Sequence, residues 1–235
     1  MKKIILPLVT GCILFASCRK DISVENYYEP CELQTVNPAG RSYSSDSVVN
    51  FTCTSKHCGL IPLSSKNFWI YEDSVFADGV FQKVQYDTLR FVSNKKTLSD
   101  GLVWWQSNIN IGLPQTLYAN DSSFFDLQDR LFTPDVKDVK KEYSLFPGDS
   151  LRYLTSFEDA AAIGRSLKVE STISSPAGMF NDCIYFEKHA RNYRKDQLTF
   201  KPGVGVIRYV VEKARMGERV LLLQQVFTLV KYYIE

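Results

Sequence analysis

The densest run of reactive side chains is Cys53-Thr54-Ser55-Lys56-His57-Cys58, with two thiols and an imidazole within six residues. Zinc asks for four ligands, usually as two pairs at set spacing. The further Cys or His partners for this run are Cys31 and the distant His189, so a metal site is not expected. The Cys-x-x-Cys-His spacing of haem attachment is absent. In an oxidising compartment an even set of thiols reads as disulfides, and the expected bridge lies within the group Cys31, Cys53 and Cys58. Cys183 sits in the strand-like run Asn181-Asp182-Cys183-Ile184-Tyr185-Phe186, where a buried free thiol acts as a small apolar residue.

Other patterns of catalytic residues are fragments. The chain has 2 histidines, His57 and His189, and no Gly-x-Ser-x-Gly elbow. Ser93-Asn94-Lys95-Lys96 matches Ser-x-x-Lys, yet its companions Ser-Asp-Asn and Lys-Thr-Gly are missing. Glu158-Asp159 offers paired carboxylates that equally serve a helix N-terminus. Gly203-Val204-Gly205 lacks the strand-then-helix context and the Gly-Lys-Ser/Thr of a phosphate loop, and Asp135-Val136-Lys137-Asp138 is a solvated charged turn rather than a calcium loop. No catalytic residue, metal or cofactor is assigned, and the chain reads as non-catalytic. A hydrolase whose carboxylates converge from distant strands is the weaker reading.

The N-terminus has the layout of a secretory signal: a basic Met1-Lys2-Lys3, an apolar run over residues 4–16, and a small residue before the cut. The run is thirteen residues long and contains Pro7 and Gly11, well short of the roughly 20 apolar residues that span a bilayer. Cleavage before Cys18 leaves a signal of adequate length, whereas cleavage before Cys12 does not. Leu14-Phe15-Ala16-Ser17-Cys18 resembles the lipobox of bacterial lipoproteins, and that resemblance implies a lipidated Cys18 as the mature N-terminus. Burial of acyl methylenes at about 0.8 kcal/mol each would then hold the protein on a membrane. Arg19-Lys20-Asp21 looks partly like the surface-export signal of some Gram-negative lipoproteins, and a short charged linker explains it equally well. The implied location is the outer membrane, facing the periplasm or the cell surface.

Removing residues 1–17 takes Lys2 and Lys3 from the 28 basic residues, leaving 26 against 26 acidic ones. A balanced charge argues against nucleic acid and against electrostatic adsorption to anionic lipid. The remaining 218 residues (235 minus 17) can bury a single large core without cofactor or metal.

Three segments are expected: a signal peptide over 1–17, a lipidated N-terminus with a flexible Cys-containing linker over 18–60, and an antiparallel β domain over 61–235. The linker is rich in Ser, Asn, Thr and Pro. Beyond it, short β-branched and aromatic runs alternate with turn signals such as Asp78-Gly79, Pro147-Gly148-Asp149 and Lys201-Pro202-Gly203, the rhythm of antiparallel hairpins. At most one or two short helices are expected, with a capped turn over residues 156–163. Along residues 102–111, Val103, Trp105, Ser107 and Ile109 form a core face, and Leu102, Trp104, Gln106 and Asn108 a mixed one. Trp104 is therefore the candidate contact for a ligand or partner. The last strand, apolar at both odd and even positions over residues 220–234, is expected to be covered on both sides.

Leu60-Ile61-Pro62-Leu63 followed by Asn67-Phe68-Trp69-Ile70-Tyr71 resembles the opening of a family of uncharacterised bacterial outer-membrane lipoproteins. Ser175-Pro176-Ala177-Gly178-Met179-Phe180-Asn181-Asp182-Cys183 and Phe200-Lys201-Pro202-Gly203-Val204-Gly205-Val206-Ile207 are similar to that family's Pro-Ala-Gly-x-Phe-x-Asp-Cys and Pro-Gly-Val-Gly motifs. Met179 and Phe200-Lys201 depart from its pattern. The resemblance spans about residues 60–235 and implies a curved antiparallel sheet, a half-barrel or open barrel like that of the lipoprotein carriers. It implies no catalytic residue. Two functions follow as expectations: an accessory or scaffold subunit of an envelope complex with a protein, glycan or lipid partner, or a binder of an apolar ligand in the concave face.

Overall fold

Side chains that alternate between two environments favour strands, and the turns between them come from residues that tolerate a left-handed backbone. Asp78 and Gly79, at φ of 52° and 83°, make the tight turn of the longest hairpin. The computed structural model describes residues 32–145, 150–157, 159–215 and 217–235. The signal peptide, the lipidation candidate Cys18 and the disulfide candidate Cys31 lie outside the described residues.

The strands run β1 (Glu32–Leu33), β2 (Ser42–Ser44), β3 (Val48–Phe51), β4 (His57–Cys58), β5 (Phe68–Ala77), β6 (Val80–Thr97), β7 (Val103–Ser107), β8 (Thr116–Ala119) and β9 (Ser123–Arg130). They continue with β10 (Thr133–Ser144), β11 (Ser150–Ser156), β12 (Ala161–Lys168), β13 (Ile173–Ser175), β14 (Gly178–Phe180), β15 (Ile184–Ala190), β16 (Arg194–Lys201), β17 (Gly205–Ala214) and β18 (Leu221–Tyr233). One 14-stranded sheet follows the order β11-β12-β15-β16-β17-β18-β5-β6-β7-β8-β9-β10-β2, with β3 on β6. The protein is mainly β, and its antiparallel sheet is curved and unclosed, as expected. The helical content of the described residues is a single 3-10 turn, Ser45–Ser47. The expected helical turn over residues 156–163 is instead the end of β11, a reversal, and the start of β12, with Phe157 N–H donating to Ala160 O at 2.8 Å.

The sheet wraps one core. Trp69, Tyr71, Leu89, Phe91, Trp105, Phe124, Phe186, Leu198, Phe200, Ile207, Phe227 and Leu229 from both halves of the strand path belong to a single buried cluster. The two ends of the path are held by side chains across the gap: Tyr153 Oη donates to Glu142 O at 3.0 Å, and Ser166 Oγ to Ser144 O at 2.5 Å. Inside, the loop between β7 and β8 contributes Ile111 and Leu113 to the core. Gly112 in that loop has φ of 83°, and a Cβ there would stand 2.6 Å from the Tyr209 ring, so no larger residue fits without displacing that ring.

Three expectations are corrected. The segment read as linker up to residue 60 joins the fold: β2 pairs with β10, β3 pairs with β6, and Leu60 is core. Its passage over the sheet also buries Trp104, which is 0% exposed within a second cluster with Tyr43, Leu102, Tyr118, Phe125, Leu127 and Val139. Trp104 is therefore not the exposed contact residue that alternation suggested. Alternation placed Trp104 and Trp105 on opposite faces correctly, but the reading had no cover for the outer face. The last strand is not covered twice either. Register shifts between Val211 and Glu212 and between Leu229 and Lys231 re-phase β18, so its apolar residues do not form two continuous faces; Phe227 and Leu229 alone are fully buried.

Trp104→Ala should cost about 3–5 kcal/mol, comparable with Trp105→Ala. Denaturant midpoints of the two variants check this, and a near-neutral Trp104→Ala would mean that the outer cluster contributes nothing to stability.

Candidate functional site

The Cys53–Cys58 run folds against Trp105. The indole N–H of Trp105 donates to His57 Nδ1 at 3.0 Å, and Gln34 Nε2 approaches the same nitrogen. An indole nitrogen only donates, so Nδ1 is the unprotonated one and the ring proton lies on Nε2. That nitrogen faces Cys53 Sγ at 3.6 Å and Glu32 Oε2 at 3.5 Å. It has no lone pair to ligate a metal or to take the Cys53 proton. Burial lowers the His57 pKa against the opposing pull of Glu32, and burial raises that of the Cys53 thiol. The arrangement is structural: a neutral imidazole ties β4 to β7. Among the described residues no group of three or more His, Cys, Asp or Glu is placed to hold a metal.

Cys53 and Cys183 carry free thiols, Cys183 buried in the core as expected. Cys53 is thus removed from the disulfide candidates. Cys58 is not among the free thiols, and Cys31 lies outside the described residues. Ser93 donates to Gln106 at 2.7 Å while Lys96 sits over the Phe51 ring at 5.0 Å, so the Ser-x-x-Lys spacing assembles nothing.

What sequence reasoning missed is a charged cavity of about 920 Å³ at one end of the concave face. Period-two alternation points one set of side chains inward, and along several strands that set changes from apolar to charged. On β9, Phe124 is followed by Asp126 and Gln128; on β15, Phe186 by Lys188; on β16, read backwards, Phe200 and Leu198 by Asp196 and Arg194. The antiparallel register places these changes at one level, with Lys140 of β10 opposite Asp126. The signal was present in the sequence as a switch in one face of each strand, but only pairing registers align the switches.

The charges are compensated in pairs. Glu142 takes Lys188 at 2.8 Å and Lys140 at 2.9 Å. Asp196 receives both arms of Arg194, at 2.6 and 2.8 Å, and the Tyr209 hydroxyl at 2.7 Å. Phe157, from the β11–β12 reversal, lies under Lys188 and Arg194, 4.6 and 4.9 Å from its ring centre. Burial lowers the Lys188 pKa, with Glu142 opposing, whereas for Arg194 the effect of burial is outweighed by Asp196 and Tyr209, which raise it. Asp126 makes no ion pair among the described residues and accepts from Gln128. Desolvation pushes its pKa up to about 6, with Glu142 adding and Gln128, Lys140 and Lys188 opposing.

No family model and no curated protein match the chain. A solved structure of a candidate lipoprotein from Parabacteroides distasonis ATCC 8503 is similar to it at 13% identity and a TM-score of 0.36, covering 75% of this chain and 99% of that one. A likeness at that level leaves the chemistry to be read from the residues themselves.

Asp126 sets a pH dependence. An unfolded carboxyl titrates near 3.9, so between about 4 and 6 the folded state holds a proton that the unfolded state has released, and stability falls as pH rises through that window. Asp126→Asn should remove this loss. The variant should gain stability relative to wild type as pH goes from 4 to 7; chemical denaturation at pH 4, 5, 6 and 7 reads the difference, and a flat difference refutes the assignment.

Proposed function

We propose that the protein is a lipid-anchored lipoprotein of the outer membrane, tethered through Cys18, and that its curved sheet serves without catalysis as an accessory binding subunit of the envelope. The observation that carries the binding reading is the cavity: the concave face is filled by aromatic side chains at one end and left open, polar and charged at the other. A carrier of an apolar chain needs unfilled apolar surface, and here the apolar part of the concave face is occupied by Trp69, Phe91, Phe124 and Phe200. The anchor rests on the sequence, namely the short apolar run, the small residues before Cys18 and the lipobox resemblance. Among the described residues no helix is long and apolar enough to cross a membrane. Partners are the membrane, through lipid, and a polar ligand or an envelope macromolecule that presents one.

The anchor is tested by fractionation. Cys18→Ser should move the protein from the membrane pellet to the soluble fraction and abolish palmitate labelling; a variant that stays in the pellet sinks the tether.

With Cys53 free, the bridge expected within Cys31, Cys53 and Cys58 narrows to Cys31 with Cys58, which would staple the start of the fold to β4. Non-reducing peptide mapping should recover one peptide joining Cys31 to Cys58. Recovery of Cys31 as an alkylatable thiol in the isolated protein would count against it.

A further inference from the structure

We propose that the cavity binds a short neutral oligosaccharide, its ion-paired side chains supplying hydrogen bonds to the sugar hydroxyls. The inference rests on the reading of the cavity as a ligand site and names what enters it.

Charge compensation excludes the alternatives first. Glu142 is shared by two lysines and Asp196 is held by Arg194 and Tyr209, so an anionic ligand would have to break a pair and leave a buried charge uncompensated, a large penalty, and a cationic one would meet, beside the unpaired Asp126, the like charges of Lys140 and Lys188. An apolar ligand would strip water from the same groups without replacing their hydrogen bonds. A hydroxyl both donates and accepts. It therefore fits a surface on which donors and acceptors sit side by side and are already fixed in direction.

The cavity has that surface. Arg194 is aligned by two bonds to Asp196, and Lys140 donates to Ser156 O as well as to Glu142. Each of these groups keeps further hydrogen-bonding capacity: an ammonium has three donors, a guanidinium five, and a carboxylate about four lone-pair positions. Asp126 and Gln128 add an acceptor and an amide beside them, outside any ion pair among the described residues. Such a lattice is stiff before the ligand arrives, so little side-chain entropy remains to be lost on binding. The volume of about 920 Å³ lies within the range of about 300–1,000 Å³ of pockets that enclose small organic ligands, enough for more than a single sugar ring.

Calorimetric titration of the full-length protein as isolated from cells, in sugar-free buffer and detergent, tests the inference. The neutral probes are maltotriose, mannotriose and triacetylchitotriose; trigalacturonate and the fully deacetylated chitosan trimer are the charged counterparts, and palmitate is the apolar one. At least one neutral trisaccharide should bind saturably. Asp126→Ala and Gln128→Ala should each weaken it roughly tenfold or more without lowering the thermal midpoint, while Leu154→Ala, at an outward site that is 91% exposed, should leave it unchanged. A charged trimer binding more tightly than every neutral one overturns the oligosaccharide inference but keeps the polar site. Silence from all sugars, or sugar binding that ignores the cavity variants, also overturns it. Binding of palmitate alone removes the polar-site reading as well.

Discussion

A sheet that curls until its ends nearly meet acquires an inside, and that inside must be filled or left for something else. Here the filling is aromatic and runs only part of the way. Phe124, Phe186 and Phe200 meet edge-on or tilted, with ring centres 5.2 to 6.4 Å apart, geometry in which each ring edge meets a neighbour's face. The loop carrying Ile111, Gly112 and Leu113 then presses down on Tyr209 and Leu198. That contact separates the filled part from the open part. The glycine is the joint: its positive φ and missing side chain let the loop lie directly on the ring, so the floor of the cavity and the roof of the core share one surface.

The same curvature explains the treatment of the outside. A curved sheet needs its convex face either wetted or covered, and on β7 to β10 it is covered by the N-terminal segment. Tyr43 is anchored through its hydroxyl to Asp100 at 2.7 Å, and Arg41 meets the same carboxylate at 2.6 Å. Asp100 in turn accepts from Thr97 and from the Leu102 backbone N–H, which holds the carboxylate below its ordinary pKa despite the burial that acts against it. One acid in the β6–β7 turn thus fastens the strap that hides Trp104.

Legibility in the sequence followed the range of the interaction. Antiparallel strands and their turns come from local alternation and from residues such as Asp78-Gly79, and these were readable. So was the division of Trp104 and Trp105 between two faces. Burial of Trp104 was not, because its cover comes from Tyr43 and Val48, more than fifty residues upstream in a stretch whose Ser and Asn content reads as linker. The two-sided apolar look of β18 misled for a different reason: bulges shift the phase of a strand without leaving a mark in composition. The cavity escaped because each of its charges, taken alone on its strand, is an ordinary polar residue; only the register of β9 with β10 and of β15 with β16 stacks them.

That stacking is the strongest argument for a site. Apolar residues of similar volume in place of a buried ion pair are often neutral or stabilising, so stability alone does not call for Glu142, Lys188, Asp196 and Arg194 at positions where the inward face could have continued as Phe and Leu. Lys188 and Glu142 are 8% and 6% exposed, deep enough for desolvation to matter, and Lys188 shows it in a lowered pKa. A sequence that breaks its own hydrophobic pattern at one level of several neighbouring strands, and then satisfies the resulting charges by pairing them, departs from the local rule where departures most often mark function. The pairing keeps the fold intact where the inward face turns polar at the open end of the curved sheet.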